Sequence, residues 1–407
     1  METSRYEVAV VGGGLTGSIA ALAFAEAGFD TLHLAPKAST DGRSTALFGR
    51  SLKLLGRLGV LDRLSGLEQP MFAMRLIDDT RRLLRAPPIE FRASEVGLPS
   101  FGINALNADL LAAIAQQGSD FSQHLTVVRM ALSDIGIQGD RATIETEDGR
   151  RFACRLLVGS DGRASKVREK AGITTRSWAY PQTAIVLNFR HERDHHGVST
   201  EFHTPSGPFT QVPLSGHRSS LVWVETPAEA ARLVALPADD LGVEIEKRLH
   251  SILGKVTIDS KVQTFPLSGS TANRLTADRT ALVGEAAHVF PPIGAQGLNL
   301  GLRDVDDLIE AAIQNRDDPG GSRMLNAYER SRSVDVRSRS LAVDLLNRSL
   351  LTSMLPVQAI RALGLGALGR WPALRHTIMR EGVEPGSALR SALSRLRPAL
   401  PERRSSR

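Results

Sequence analysis

The sequence predicts an α/β protein built on a doubly wound parallel sheet, with an antiparallel β-sheet inserted into it and helices towards its C-terminal end. Three observations predict this. An apolar, β-branched run at residues 7–11 ends in glycines, a small-residue helix follows at 15–27 and stops at Gly28, and a second strand occupies 31–34. That β-α-β unit sets a parallel sheet with its ligand at the carboxyl ends of the strands. Two later apolar runs, 155–159 and 280–283, each lead into an acid, Asp161 and Glu285, ahead of a helix signal. Between them, residues 184–224 change to β-rich runs separated by the turn clusters HTPSGP and LSGHRSS, as an antiparallel sheet requires.

The remaining elements follow from periodicity. Helical spacing covers 45–58, 105–117 and the chain from 298 onward, and 142–147 reads as a strand. The doubly wound domain is therefore expected from three separated pieces, 1–75, 101–175 and 275–335, and the inserted substrate domain from 76–100 and 176–274. A helical region at 336–397 and a polar, basic, disordered tail at 398–407 complete the chain. With 407 residues and 42% hydrophobic content, such a chain can bury a large core. The tryptophans Trp178, Trp223 and Trp371 read as core or interface anchors.

Composition narrows the function. A single cysteine, Cys154, excludes an internal disulfide and a cysteine-built metal cluster, and reads as a small buried strand residue. His195 and His196 are adjacent in a polar turn without a third ligand at metal spacing, so no metal is expected. His288 reads as a core or cap hydrogen-bonding residue rather than a base. No charged leader with a long apolar core opens the sequence, and no run of eighteen apolar residues occurs, which gives a cytoplasmic expectation. The net charge of +6 is uneven: from Arg337 onward there are thirteen arginines, no lysine and four acids. Leucine and alanine, not aromatics, interleave those arginines, which disfavours nucleic acid and favours an anionic membrane surface, peripherally on the inner face, or a protein partner.

The chemistry sits in three motifs. In GGGLTG, Gly12, Gly14 and Gly17 allow a tight turn, close approach to a pyrophosphate and close helix packing, with the helix N-terminus holding the phosphates. The acid expected at the end of the second strand to hold a ribose is replaced by Ala35. In LLVGSDGRASKVR, Asp161 and Gly162 form a turn, and Ser165 and Arg168 stand at helix-start spacing; Asp161 reads equally well as a cap. In ALVGEAAHVFPPIGAQGLNLGLRDVDDL, Gly284 and Glu285 end a strand, and a proline-glycine loop at 291–297 leads into a helix near Leu298. A helix start beside such a loop stabilises negative charge.

These three motifs, in this order and separation, resemble the single-component aromatic hydroxylases of the para-hydroxybenzoate hydroxylase type, and most closely those of ubiquinone biosynthesis. The blocks DGRSTALFGRSLKLLGRLGV, FGINALNADLL, WAYPQTAIV, TPSGPFTQVPL, SSLVW and YERSRSVDVRSRSLAVDLLNRSLL extend the resemblance over nearly the whole chain. It implies a Rossmann-like FAD-binding domain and a reaction in which NAD(P)H reduces FAD. A flavin C4a-hydroperoxide, formed with O2, then passes oxygen to the aromatic ring of a polyprenylated phenol. The first motif would bind the ADP half of FAD; Asp161, Gly162, Ser165 and Arg168 would serve FAD and nicotinamide. Glu285, where aspartate is usual, would hold the ribityl chain beside Gly284, Gly297, Leu298 and Asn299, and Arg43 and Asn107 would lie near FAD. The loop 292–297, with Pro292, Gly294 and Gln296, would form the wall of the oxygen-transfer site. A hydroxylase of small soluble phenols and a non-catalytic subunit of a quinone-biosynthesis complex stand as alternatives.

Overall fold

The computed structural model describes residues 3–36, 41–80, 87–291, 296–333, 375, 376 and 379. Its first sheet grows from the β-branched N-terminal run. The strands Thr280–Leu282, Arg151–Gly159, Ser4–Val11, Thr31–Leu34 and Leu125–Val128 lie side by side in that order, all parallel. Register aligns Leu282 with Gly159, Gly159 with Val11, and Val11 with Leu34, so the carboxyl ends finish at one level. Backbone bonds tie each end to the next: Ser160 N donates to Val11 O, Gly12 N to Leu34 O and Val283 N to Gly159 O.

The helix Leu15–Glu26 is apolar all round, which suits only a fully enclosed position. The sheet takes one side of it, and the helices Asn107–Gly118 and Gln296–Gln314 pack against it as well, leaving residues 19–24 wholly buried. Cys154 is buried in this core, and burial pushes its thiol up to about 12, so it stays protonated and inert.

Two sequence expectations need correction here. Residues 45–58 are not one helix: Ser44–Phe48 is a strand, and the helix is Gly49–Arg57. The strand forms because it pairs along its length with Gly102–Leu106, while the Asn299 amide donates to Ala46 O and accepts from Phe48 N. For the same reason the helix expected at 105–117 starts only at Asn107, after that partner strand ends.

The inserted sheet has nine strands among the described residues. The expectation that it is antiparallel holds for most of its pairs, but Val198–Thr204 runs parallel to Ala73–Asp78. The latter strand arrives from the early part of the chain rather than through a hairpin, so no turn dictates its direction. One face is covered by Pro227–Val234 and Ala238–Arg248, the first capped by Thr226 with proline at its start. Leu233, Leu241 and Ile245 close over Phe189, Phe202, Phe209 and Trp223.

Residues 322–333 form a further helix. The expected helical region at 336–397, with Trp371, and the tail lie outside the described residues, apart from 375, 376 and 379. Of these, Arg375 pairs with Glu95 at 2.7 Å and lies over the Phe91 ring, and Met379 is buried beside Ile89 and Phe101. Among the described residues, no helix is long and apolar enough to cross a membrane.

Candidate active site

The three motifs, separated by more than a hundred residues each, meet at the carboxyl edge of the parallel sheet. Gly12 has φ +131°, and a Cβ there would overlap the Ser160 carbonyl; one at Gly17 would overlap the Gly12 oxygen. Those two glycines let the first motif pack on the second. Gly14 differs. It caps the Leu15–Glu26 helix in extended conformation and makes no side-chain cap bond, and among the described residues nothing lies within 4 Å of where a Cβ would stand. No acid occupies that helix's first turn, so its amides and dipole favour an anion at this end.

His33 was not singled out by sequence reasoning, although a histidine in the apolar strand TLHL is a visible signal. It is buried, and its Nε2 lies 2.9 Å from Gly12 O, the carbonyl at the heart of the glycine turn. Burial lowers its proton affinity, so the neutral ring donates this bond. Ala35 is buried beside Gly13 and supplies no ribose contact.

The second motif is a self-contained turn that reaches across to the third. Asp161 accepts from Ser165 Oγ and Val167 N, and Ser165 Oγ accepts from Arg168 N, which caps the short helix Lys166–Lys170. The Arg168 guanidinium donates to Ala286 O at 2.9 Å, and Arg163 lies 3.5 Å from Glu285. Gly162, at φ +81°, borders open space. Asp161 thus caps and positions this turn.

In the third motif Gly284 has φ +62°, and a Cβ there would press on Thr16 at 2.9 Å. A Cβ at Gly301 would meet both Gly284 and Thr16, so three elements converge where only small groups fit. Glu285 projects from this turn about half exposed, available to a hydroxylated chain lying along the sheet edge. Gly297 is the second residue of the Gln296–Gln314 helix, where among the described residues nothing lies within 4 Å of an added Cβ, and Leu298 is half-buried against the main core. Pro292 and Gly294 lie outside the described residues, and Gln296 is placed only as the first residue of its helix.

Sequence reasoning missed the group that fixes this turn. Asp304, fully buried, accepts from Gly284 N at 2.9 Å, His288 Nε2 at 2.7 Å and Arg332 Nε at 2.8 Å. Burial alone would raise the Asp304 carboxyl, but His288 and Arg332 hold it below its ordinary value. His288 is therefore a core hydrogen-bonding residue, as its sequence context suggested.

Across from this edge lies the face of the inserted sheet that points away from its two helices. Asn188 donates to Gly42 O at 2.8 Å, and the Arg43 guanidinium lies 5.4 Å from the Phe265 ring. Asp41 binds Arg43 and Asn107, which Thr45 also contacts. Although burial would raise the Asp41 carboxyl, these bonds leave it below its ordinary value. The sheet face here is apolar, formed by Ala184, Val186, Val222, Val224, Phe265 and Leu267. A separate cavity, lined by Arg75, His195, Thr200 and Gln211, opens on the opposite, helix-covered side and takes no part in this arrangement.

A doubly wound sheet with a glycine turn at its first strand, two further motifs closing on it and a facing apolar sheet is an architecture that suits a flavin-dependent oxygenase. The chain belongs to the FAD binding domain family, which it matches over residues 5–338. It is 36% identical to the ubiquinone hydroxylase UbiL of Rhodospirillum rubrum over 93% of this chain and 89% of that protein. It is 30% identical to the 3-demethoxyubiquinol 3-hydroxylase of Escherichia coli over 93% of this chain and 99% of the relative. Among solved structures, Klebsiella pneumoniae HpxO, complexed with FAD and uric acid, superposes with a TM-score of 0.76 at 18% identity, covering 95% and 98% of the two chains. The protein is an FAD-dependent aromatic hydroxylase, with NAD(P)H as the family's usual co-substrate. The open glycine at Gly14 and the uncapped helix behind it fit a dinucleotide's pyrophosphate.

Proposed function

We propose that the protein hydroxylates the ring of a polyprenylated phenol in ubiquinone biosynthesis, using FAD, NAD(P)H and O2. The observation that carries this reading is the apolar sheet face around Val186, Val222 and Phe265, set opposite the segment that holds Asp41 and Arg43. Likeness to ubiquinone hydroxylases over nearly the whole chain supports it. When bound, FAD supplies the oxygen activation that protein side chains lack. The chain's own residues bind, orient and exclude water. Gly12, Gly14 and Gly17 with the Leu15–Glu26 helix hold the pyrophosphate; Glu285 holds the ribityl hydroxyls; Arg43, Asn107, Asp161, Gly162, Ser165 and Arg168 shape the cofactor's surroundings. Gly284, Gly297, Leu298 and Asn299 complete the cofactor site beside Glu285, and the oxygen-transfer role is assigned from sequence to Pro292, Gly294 and Gln296. The apolar face packs the ring and its prenyl tail and keeps the reacting centre dry. The test is turnover of 2-geranylphenol by the FAD-loaded protein. A ring-hydroxylated product formed with oxidation of one NAD(P)H is expected, and cofactor oxidation with no oxygenated product overturns the reading.

A prenylated phenol stays in the bilayer, so the enzyme has to meet it there. We assign that contact to the arginine-rich sequence from Arg337 onward, which carries thirteen arginines against four acids. An interfacial arginine contributes about 1 kcal/mol near an anionic surface, screened by salt. Co-sedimentation with anionic vesicles that weakens as salt rises is the expected result; none at low salt sinks the assignment.

A further inference from the structure

Along Val198–Thr204 the side chains alternate across the sheet. Phe202 enters the helix-covered side with Phe209 and Trp223, which sends Glu201 and His203 to the other. Register follows that other face across the strands: Glu201 lies beside Thr210, Thr210 beside Val222, and Val222 beside Val186. This is the same apolar face that meets Arg43 through Phe265. On its outer side Glu201 neighbours Leu76, which packs with Ile89, Phe101 and Phe48. An acid and a histidine therefore sit between two apolar clusters on the surface assigned above to the ring substrate.

Their bonding is local. His203 Nε2 donates to Glu201 Oε1 at 2.8 Å, and Thr210 Oγ1 donates to Oε2 at 3.2 Å. Burial pushes the Glu201 carboxyl up, but these bonds leave it below its ordinary value, so it is ionised at neutral pH. Each carboxylate oxygen can accept two hydrogen bonds, and each is given one side-chain donor here. The Glu201 and His203 side chains are 17% and 9% exposed, so the pair is largely screened from water. A charged pair on an apolar face is no more stable than well-packed hydrophobic residues would be, so stability does not account for it.

We propose that Glu201, oriented by His203 and Thr210, accepts the hydrogen bond of the substrate's phenolic hydroxyl and so selects rings that carry a free hydroxyl. The inference rests on the phenol reading above. A site built to receive an O–H strongly rejects the analogue that lacks it, because its own polar group is then left unpaired.

The test compares the affinity of FAD-loaded protein for 2-geranylphenol and for its methyl ether, 2-geranylanisole, followed by the change in flavin absorption. The parent protein is expected to bind the phenol at least about tenfold more tightly. Glu201→Leu is expected to bring the two affinities within about twofold. Glu201→Gln, which keeps a neutral acceptor, is expected to retain part of the difference, and it decides the matter if the leucine variant does not fold. A folded variant with the full parental preference overturns the inference, as does a parent that binds phenol and ether equally. A parent that binds neither overturns the phenol reading and this inference with it.

Discussion

Gly12→Ala is expected to yield protein without yellow colour, its FAD affinity lowered at least about a hundredfold, or some 2.7 kcal/mol. Two penalties act at once. The backbone there has φ +131°, which an alanine rarely adopts, and the added methyl would overlap the Ser160 carbonyl that joins the first motif to the second. Gly14→Ala separates these effects from cofactor binding itself. Its backbone, at φ −76° and ψ 175°, suits any residue, and its Cβ would meet nothing within 4 Å among the described residues. The Gly14→Ala protein without FAD should therefore melt at the parental temperature yet bind FAD at least about tenfold more weakly, because the methyl enters the space left for the pyrophosphate. Unchanged FAD affinity in Gly14→Ala would place the pyrophosphate elsewhere.

The second large effect lies at Asp304. Replacing it by alanine leaves Arg332 and His288 buried without their shared carboxylate and frees the Gly284 amide, which is expected to cost about 3–5 kcal/mol. Denaturant unfolding measures this, and FAD retention should fall with it because the turn bearing Glu285 loses its anchor. The pH dependence has a fixed sign. The folded carboxyl lies below its unfolded value of about 3.9, so its contribution is complete above that pH and is lost as pH falls through the lower, folded value. Asp304→Asn should flatten that acid-side loss. Parental stability in Asp304→Ala would show that the buried cluster does not anchor the turn.

Much of the fold was legible because the parallel strands are short, apolar and punctuated by glycines that only a close turn explains. The strand at Ser44–Phe48 was not, because its apolar residues also fit helical spacing and its pairing partner, Gly102–Leu106, is far away in sequence. Long-range pairing overrode local pattern there. At the site, the glycines announced themselves by spacing, whereas Asp304 did not. It is one of three acids in RDVDD, and only the arrival of Arg332 and His288 in space makes it the buried one. Glu201 was hidden for the same reason, since alternation along one strand does not reveal which face meets a ligand.

Ring hydroxylation is measured most directly as turnover of 2-geranylphenol with NAD(P)H under 18O2 by the FAD-loaded protein. A monooxygenase acting on the phenol ring predicts one labelled oxygen in each hydroxylated product, none when the label is supplied in water, and one NAD(P)H consumed per product. Product oxygen derived from water, or NAD(P)H consumed with no labelled product, would contradict it.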